Sequence, residues 1–594
     1  MVEGSHAEQW QCRRLQSWAT ICLTLISLLL AGTVLRVVQL KLHPDARLAD
    51  AAGTTESTLR EPGRRGDLLD RRGRILATTT LGHRAFLDPR EVDDLATIGI
   101  ELKSLIGLDA ISIDRALARR FNTRFVPISD ILEAWQVDRL KRARLPGVGL
   151  EPRLVRHYPY GGVAQQLVGA VGFEHTGLGG LEHALDTTLQ GQDGHVIVVR
   201  DVRNRILWIE DGDFVPHRDG IDRTLTIDVF IQEIAEERLA REVLERNAAG
   251  GRLIIADPLT GDILALADVV NHEQRNRNEV EPGEAPANPR LARPRCGTDP
   301  YEPGSTFKPF VWATATEVGA ADPEEILPTP SSQPHRTRGK RRIRDVHYYG
   351  PSSWRKVLVK SMNSGMAIVA ERMDHRQMQQ AVERFGFGTR TRCGIPGETA
   401  GIVTPPEQWT DYTQVSVAMG HEIAVTPLQM VRAFSVFCTD GRLPTLKILS
   451  PGTEHVSVEH RVIDSTIARM TRDTMRSVMT EGTGRASQSD YYQLFGKSGT
   501  AQLPIAEGGG YHEDRYVSSF IAGAPLETPR LVALCVIEDP DKRIGQYYGG
   551  RVAGPVVRDV LDQSLSYMGV PPDVEGVETM PRLAGSSPFD DKKR

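Results

Sequence analysis

Residues 18–35, WATICLTLISLLLAGTVL, contain no charged side chain and no alternation of apolar and polar positions. A run apolar on every side predicts one helix, and at about 1.5 Å per residue it reaches ~27 Å, nearly the hydrocarbon thickness of a bilayer. The span extends through Val37, Val38 and Leu40 if Arg36 snorkels to the interface. A cleaved leader needs small residues close behind the apolar run, and Ala49-Asp50-Ala51 lies too far downstream. The expectation is an uncleaved anchor over 18–40, preceded by a tail at 1–17. Arg13 and Arg14 before the span are matched by Arg36, Lys41 and Arg47 after it, so the flanking charges leave its orientation open.

Beyond the anchor, residues 49–222 mix short strand-like runs with Gly and Pro punctuation, and the pattern predicts an irregular α+β segment without catalytic signals. Ile231, Ile234, Leu239 and Val243 then recur at helical spacing behind Asp228, a good N-cap. Two apolar runs, 251–258 and 262–268, are joined by Leu259-Thr260-Gly261, a hairpin signature, and a second pair covers 516–525 and 530–538. Between these pairs lie helical stretches at 305–318, 354–373 and 427–437. Strands at both ends with helices between them predict an antiparallel sheet covered by helices, an α+β domain over 223–568, followed by a polar tail at 569–594.

At 594 residues the chain exceeds a single core, and a net charge of -5 exerts no general pull on nucleic acid. No nucleic-acid partner is expected. Cys12 and Cys22 lie in or before the anchor; Cys296, Cys393, Cys438 and Cys535 are scattered, without the spacing of a metal site. Idle thiols are the expectation, and pairing among the last four stays open. The basic run Arg336, Arg338, Lys340, Arg341, Arg342 and Arg344 reads first as a solvated loop, and second as a patch for anionic glycan, peptide carboxylates or a partner.

Three short clusters carry chemistry. In Glu302-Pro303-Gly304-Ser305-Thr306-Phe307-Lys308, Pro and Gly lead into a helix, and Lys308 falls one turn beyond Ser305 on the same face. A hydroxyl is a weak nucleophile, and a desolvated lysine beside it can serve as its base. Ser361-Met362-Asn363, placed by the pattern within a helix, offers a second hydroxyl to relay a proton and an amide to hold a peptide carbonyl. Phe495-Gly496-Lys497-Ser498-Gly499-Thr500 reads as an edge strand, with Gly499 admitting a ligand backbone and Lys497, Ser498 and Thr500 facing a carboxylate. Each cluster alone is common; their order, spacing and local context together are not.

That combination resembles the class B penicillin-binding proteins, monofunctional transpeptidases, over nearly the whole chain. Arg65–Ala77 is similar to the family's first pedestal motif, Gly180-Leu181-Glu182 with Leu189-Gln190-Gly191 to another, and Leu225–Asp228 to the entry of the catalytic domain. Val425–Gln429 and Tyr548-Gly549-Gly550 resemble further family segments. The Arg65-Gly66-Asp67 triplet falls inside a longer motif, so adhesion receives no weight. One departure stands out: Asp268-Val269-Val270-Asn271 and a charged stretch replace the family's Pro-rich segment.

The resemblance implies a pedestal at 49–222 and a penicillin-binding transpeptidase domain at 223–568. It implies that Ser305 attacks a D-Ala-D-Ala stem peptide of peptidoglycan with Lys308 as base. Ser361 and Lys497 then pass a proton to the departing D-Ala, while Asn363, Ser498, Gly499 and Thr500 hold the substrate. It implies no metal and no organic cofactor, β-lactams as inhibitors, and a separate membrane-embedded glycan polymerase of the shape, elongation, division and sporulation group as partner. A substrate outside the cytoplasm implies a single-pass protein of the cytoplasmic membrane with its catalytic domain outside. Within the class, the modest pedestal and short C-terminal extension are similar to the septal division type, with the elongation type as alternative. A β-lactamase using Glu398 as deacylating base, and a non-catalytic penicillin sensor, are the rival readings.

Overall fold

The computed structural model describes residues 4–43, 56–120, 123–200, 206–209, 214–277, 288–450, 460–505 and 509–577. The expected polar end of the C-terminal tail and the charged stretch after residue 277 lie outside the described residues. The chain divides into two compact units, one formed by 1–63 with 191–219 and the other by 64–190 with 220–594.

In the smaller unit, helix α1 (Gly4–Leu42) contains the apolar segment, and Arg13–Leu42 is long and apolar enough to cross a membrane, with none of it buried in protein. Leu23, Leu28, Leu29 and Leu35 are bare, which in a helix apolar on all sides is consistent with a membrane anchor. The same unit holds a three-stranded sheet of Glu56–Glu61, Gly194–Arg200 and Ile206–Ile209.

The larger unit is centred on a five-stranded antiparallel sheet of β1 (Gly250–Ala256), β2 (Ile263–Val270), β3 (Phe495–Pro504), β4 (Tyr511–Ala524) and β5 (Leu531–Glu538), in the order β2-β1-β5-β4-β3. Side chains alternate between faces along a strand, so each central strand feeds two cores. Leu253, Ile255, Phe520 and Cys535 face one side, against α2 (Val229–Glu245) and the C-terminal α7 (Gly549–Tyr567). Ile254, Ala256, Ile521, Leu534 and Val536 face the other, where the helices between the strand pairs pack around Phe307, Phe310 and Trp312. Those helices include α3 (Lys308–Glu317), α4 (Trp354–Val359), α5 (Asn363–Ala370) and α6 (Ser465–Glu481). Both expected hairpins form, and Asp228 caps α2 as expected by accepting the Phe230 N–H.

Residues 64–190 form a second sheet in which the 13-residue strand Ile75–Leu87 pairs with Val126–Leu132, Val148–His157 and Leu68–Leu69. Two charge clusters join its motifs. Arg65 is fully buried and donates to Glu182 Oε2 at 2.7 Å and Asp186 Oδ1 at 2.6 Å, while Arg156 takes the other Glu182 oxygen at 2.7 Å. An arginine enclosed in this way is unavailable to an adhesion receptor. Asp70 accepts from the Arg72 and Arg74 N–H groups, and the Arg74 guanidinium reaches Asp228 Oδ1 at 2.6 Å. The segment Arg65–Ala77 is therefore bonded to the cap of α2. Asp268, part of the departure from the family pattern, extends β2 and pairs with buried Arg295 at 2.6 Å, which also meets Glu538 at 2.6 Å.

Candidate active site

Ser305 sits in a single 3-10 turn, Gly304–Phe307, that runs straight into α3. Its neighbours fix the turn. Thr306 Oγ1 donates to Pro303 O at 2.7 Å, and buried Phe307 packs its ring 5.5 Å from Phe310 and 5.0 Å from Phe387. Ser305 itself stays partly exposed. Gly304 takes a left-handed φ of 53°, and its N–H donates to Gly420 O at 3.0 Å. A Cβ on Gly420 would stand 2.0 Å from Gly304 O, and φ is 79° there. Gly420→Ala is expected to cost about 1–3 kcal/mol in stability from the left-handed backbone alone, and to displace the serine turn. Urea denaturation and the rate of penicillin labelling of the variant check this.

The three clusters converge. Lys308, the first residue of α3, is completely buried, and its Nζ donates to Ser361 O at 2.8 Å, Asn363 Oδ1 at 2.6 Å and Ser361 Oγ at 3.4 Å. Lys497 on β3, also completely buried, donates to Ser361 Oγ at 2.9 Å and Ser498 O at 2.9 Å. The Ser361 hydroxyl thus lies between two lysines. Ser305 Oγ makes no hydrogen bond with Lys308 Nζ, whose contacts are Ser361 O, Asn363 Oδ1 and Ser361 Oγ.

Ser361 departs from the helix expected for it. It occupies the turn between α4 and α5 with φ of 58°, a left-handed conformation that costs a non-glycine residue about 1–2 kcal/mol. That turn directs both its carbonyl and its hydroxyl at the lysines.

Burial sets the electrostatics. Desolvation pushes Lys308 down to about 7, with the nearby Asp345 charge opposing the shift. Lys497 is held well below the ordinary lysine range by burial and by the Lys308 charge. Two buried ammonium groups sharing one hydroxyl repel each other, so a neutral lysine is accessible near neutral pH.

Strand β3 is the edge strand expected for it. An edge strand turns half of its peptide groups away from its one neighbour, the side on which an extended ligand can pair, and here the Ser498 carbonyl accepts from Lys497. Ser498 Oγ is within 2.7 Å of Thr483 Oγ1, and Thr500 Oγ1 accepts from the Gly549 N–H at the start of α7 at 3.0 Å. Gly499 also has a packing role. A Cβ there would meet Ser519 Oγ at 2.5 Å and Pro303 O at 2.8 Å, so this glycine lets the serine turn seat against β3. At the rim, Glu302 accepts from Tyr511 O–H at 2.9 Å and the Glu422 N–H at 3.0 Å, and His421 Nδ1 lies 3.0 Å away.

Several supporting residues have no local motif: Thr483, Gly420, Asp345 and Tyr511. Glu398, the base required by the β-lactamase reading, is buried and fully engaged by Thr391 and Arg392 N–H groups and the Thr391 hydroxyl. Cys296, Cys393, Cys438 and Cys535 are free and buried. No cluster of metal-ligating side chains occurs among the described residues. In the basic run, Arg336, Arg338, Lys340, Arg342 and Arg344 are exposed, while Arg341 packs over Tyr412 and donates to Ser416 Oγ at 2.6 Å.

A serine turn, a lysine pair around a second hydroxyl and a polar edge strand are the parts that a serine acyltransferase requires. Residues 251–562 match the penicillin binding protein transpeptidase domain, and 60–222 match the penicillin-binding protein dimerisation domain. The chain is 31% identical to "Peptidoglycan D,D-transpeptidase FtsI" of Escherichia coli, over 86% of this chain and 84% of that protein. It is also 31% identical to "Probable peptidoglycan D,D-transpeptidase PenA" of Neisseria meningitidis, over 86% of each. A peptidoglycan synthetase structure from Bifidobacterium adolescentis shares the fold, with a TM-score of 0.65 at 23% identity, covering 89% of this chain and 99% of that one. The chain belongs to the family of penicillin-binding protein transpeptidases.

Proposed function

We propose that the chain is a peptidoglycan D,D-transpeptidase that cross-links stem peptides through an acyl-enzyme on Ser305, acting in septal wall synthesis. The observation that carries the mechanism is the junction of Lys308, Ser361 and Lys497 beside the serine turn. When Lys308 is neutral, its two N–H groups satisfy the closer acceptors, Ser361 O and Asn363 Oδ1, and its lone pair is left for Ser305.

In the first half-reaction Lys308 takes the Ser305 proton as Oγ bonds to the carbonyl carbon of the penultimate D-Ala. The Ser305 and Thr500 N–H groups receive the oxyanion; one such donor is worth about 10²–10³ in rate. The C–N bond to the terminal D-Ala then breaks, and its nitrogen receives a proton from the lysine pair through Ser361 Oγ. Asn363 holds the substrate amide, and Lys497, Ser498 and Thr500 face the terminal carboxylate. In the second half-reaction an amine from a neighbouring stem attacks the ester, its proton leaves through the same relay, and Ser305 regains its own. A β-lactam opens its ring on Ser305 in the same first step.

The substrate lies outside the cytoplasm, so α1 runs N-terminus in and C-terminus out, and the domain division is 49–222 pedestal and 223–568 transpeptidase. A membrane-embedded glycan polymerase of the shape, elongation, division and sporulation group supplies the strands. The test is release of D-Ala from a synthetic D-Ala-D-Ala stem peptide together with transfer to an amine acceptor. The wild type is expected to produce both and Ser305→Ala neither; transfer by Ser305→Ala would overturn the reading. For the septal role, depletion is expected to give filaments, and rounded cells would assign the elongation role instead.

A further inference from the structure

The basic run between the first two motifs folds into a short antiparallel ribbon, His335–Arg336 against Arg342–Ile343. Side chains alternate between the faces of a ribbon, and here the alternation sorts them by charge. Thr337 and Ile343 are buried beneath it, while Arg336, Arg338, Arg342 and Arg344 are exposed, with exposed Lys340 at the turn. Arg336 and Arg342 stand directly opposite each other. Like charges opposed across two strands are destabilising, a cost that a bound anion would offset. Among the described residues none of these five side chains forms an ion pair; Glu371, beside the ribbon, accepts from the Arg338 N–H and faces His335 instead. The chain as a whole is acidic, with a net charge of -5, so this cationic face is a local feature.

The ribbon is fixed against the active site at both ends. Arg341 lies 3.8 Å over the Tyr412 ring and donates to Ser416 Oγ at 2.6 Å. Ser416 donates to Glu422 Oε1 at 2.6 Å, and the Glu422 N–H reaches Glu302, just before the serine turn, at 3.0 Å. At the other end Arg344 O accepts from Asn363 Nδ2 at 2.9 Å, and Asp345 accepts from the N–H groups of Asn363 and Ser364. An extended peptide held at Asn363 therefore has the arginine face beside it.

We propose that this ribbon is a recognition surface for the stem peptide, binding free carboxylates upstream of its D-Ala-D-Ala end. Resting on the transpeptidase reading, the proposal gives that site a preference for anionic stems. Guanidinium groups match carboxylates bidentately and stay charged at every working pH. A β-lactam mimics only the serine end of the peptide and does not need the ribbon.

The test uses two synthetic stem peptides ending in D-Ala-D-Ala, one with a free carboxylate upstream and one with that group as its amide. D-Ala release by the full-length protein in detergent gives kcat and KM for each. For Arg336→Gln/Arg342→Gln, KM for the free-carboxylate peptide is expected to rise about tenfold while kcat stays within about twofold, the mark of lost ground-state binding. KM for the amidated peptide is expected to match wild type, and so are thermal melting and the rate of labelling by a fluorescent penicillin. Arg336→Lys/Arg342→Lys is expected to recover most of the loss, because the charge persists. The wild-type preference for the free carboxylate is expected to fade as salt rises from about 0.05 to 0.5 M. Unchanged KM for the charged peptide in the Gln variant, or an equal rise for both peptides, would overturn the proposal and leave the transpeptidase reading intact. Unchanged KM values joined to a loss of inhibition by inorganic polyphosphate would assign the ribbon to a phosphate polymer and overturn it as well. A wild type that releases no D-Ala from either peptide would overturn both readings.

Discussion

Replacing Lys308 by Met is expected to slow acylation by penicillin about 10²–10⁴-fold, the usual contribution of a positioned general base, while the protein remains folded. Methionine fills a similar volume in a pocket where Lys308 is completely enclosed, so the cavity cost is small. What is lost is the lone pair next to Ser305. Lys308→Arg is expected to be as inactive as the Met variant, because a guanidinium keeps its charge and cannot accept the proton. The wild-type rate should fall as pH drops through about 7, the value to which burial lowers Lys308, and this limb should vanish in both variants. Stopped-flow or quenched labelling across pH, with thermal melting as the folding control, measures all three.

The second large effect concerns stability. Glu182→Ala is expected to cost about 3–5 kcal/mol, because it leaves buried arginine charge unpaired. Glu182 is completely enclosed and serves Arg65 through one oxygen and Arg156 through the other. Arg65 retains Asp186 at 2.6 Å, but Arg156 keeps only Arg65 O at 3.4 Å and Thr79 Oγ1 at 3.1 Å. The exposed pair Arg241–Glu237 supplies a contrast, since Arg241→Ala should change stability by less than about 0.5 kcal/mol. Urea unfolding followed by far-UV circular dichroism distinguishes the two. Equal losses would mean that the buried cluster has no special role in joining the pedestal motifs.

These two sites differ in how they announce themselves in sequence. Lys308 stands three residues from Ser305, and helical geometry alone brings such a pair together, so the motif could be read directly. The five strands were legible for a similar reason: alternation and turn residues are local. Ser361 falls outside the helix expected for it because the chain turns at Lys360-Ser361-Met362, and neither Gly nor Pro occupies those three positions to mark the turn. Only the lysines packed against it explain why a serine accepts a left-handed backbone there. Gly499 reads from sequence as a point of ligand approach, and its packing against the Pro303 carbonyl is a second constraint that only the fold reveals. Asp345 gave no signal at all. It follows a basic run, has no periodic neighbours, and finds its partners only when the loop folds back onto α5.

The same contrast governs function. The rival hydrolytic reading rested on Glu398 lying at a suitable distance along the chain, and the fold removes it by spending both carboxylate oxygens on its own turn. The adhesion triplet disappears into a buried ion pair for the same kind of reason. Sequence proximity nominated these residues; burial and hydrogen bonding decided their use.

The central claim is that one hydroxyl, that of Ser305, becomes the acyl carrier. Intact-mass spectrometry of the full-length protein after incubation with benzylpenicillin, followed by peptide mapping, measures it directly. The account predicts a single adduct of one penicillin on Ser305, absent from Ser305→Ala. An adduct of equal yield in that variant, or one mapped to Ser361 or Ser498 in the wild type, would contradict it.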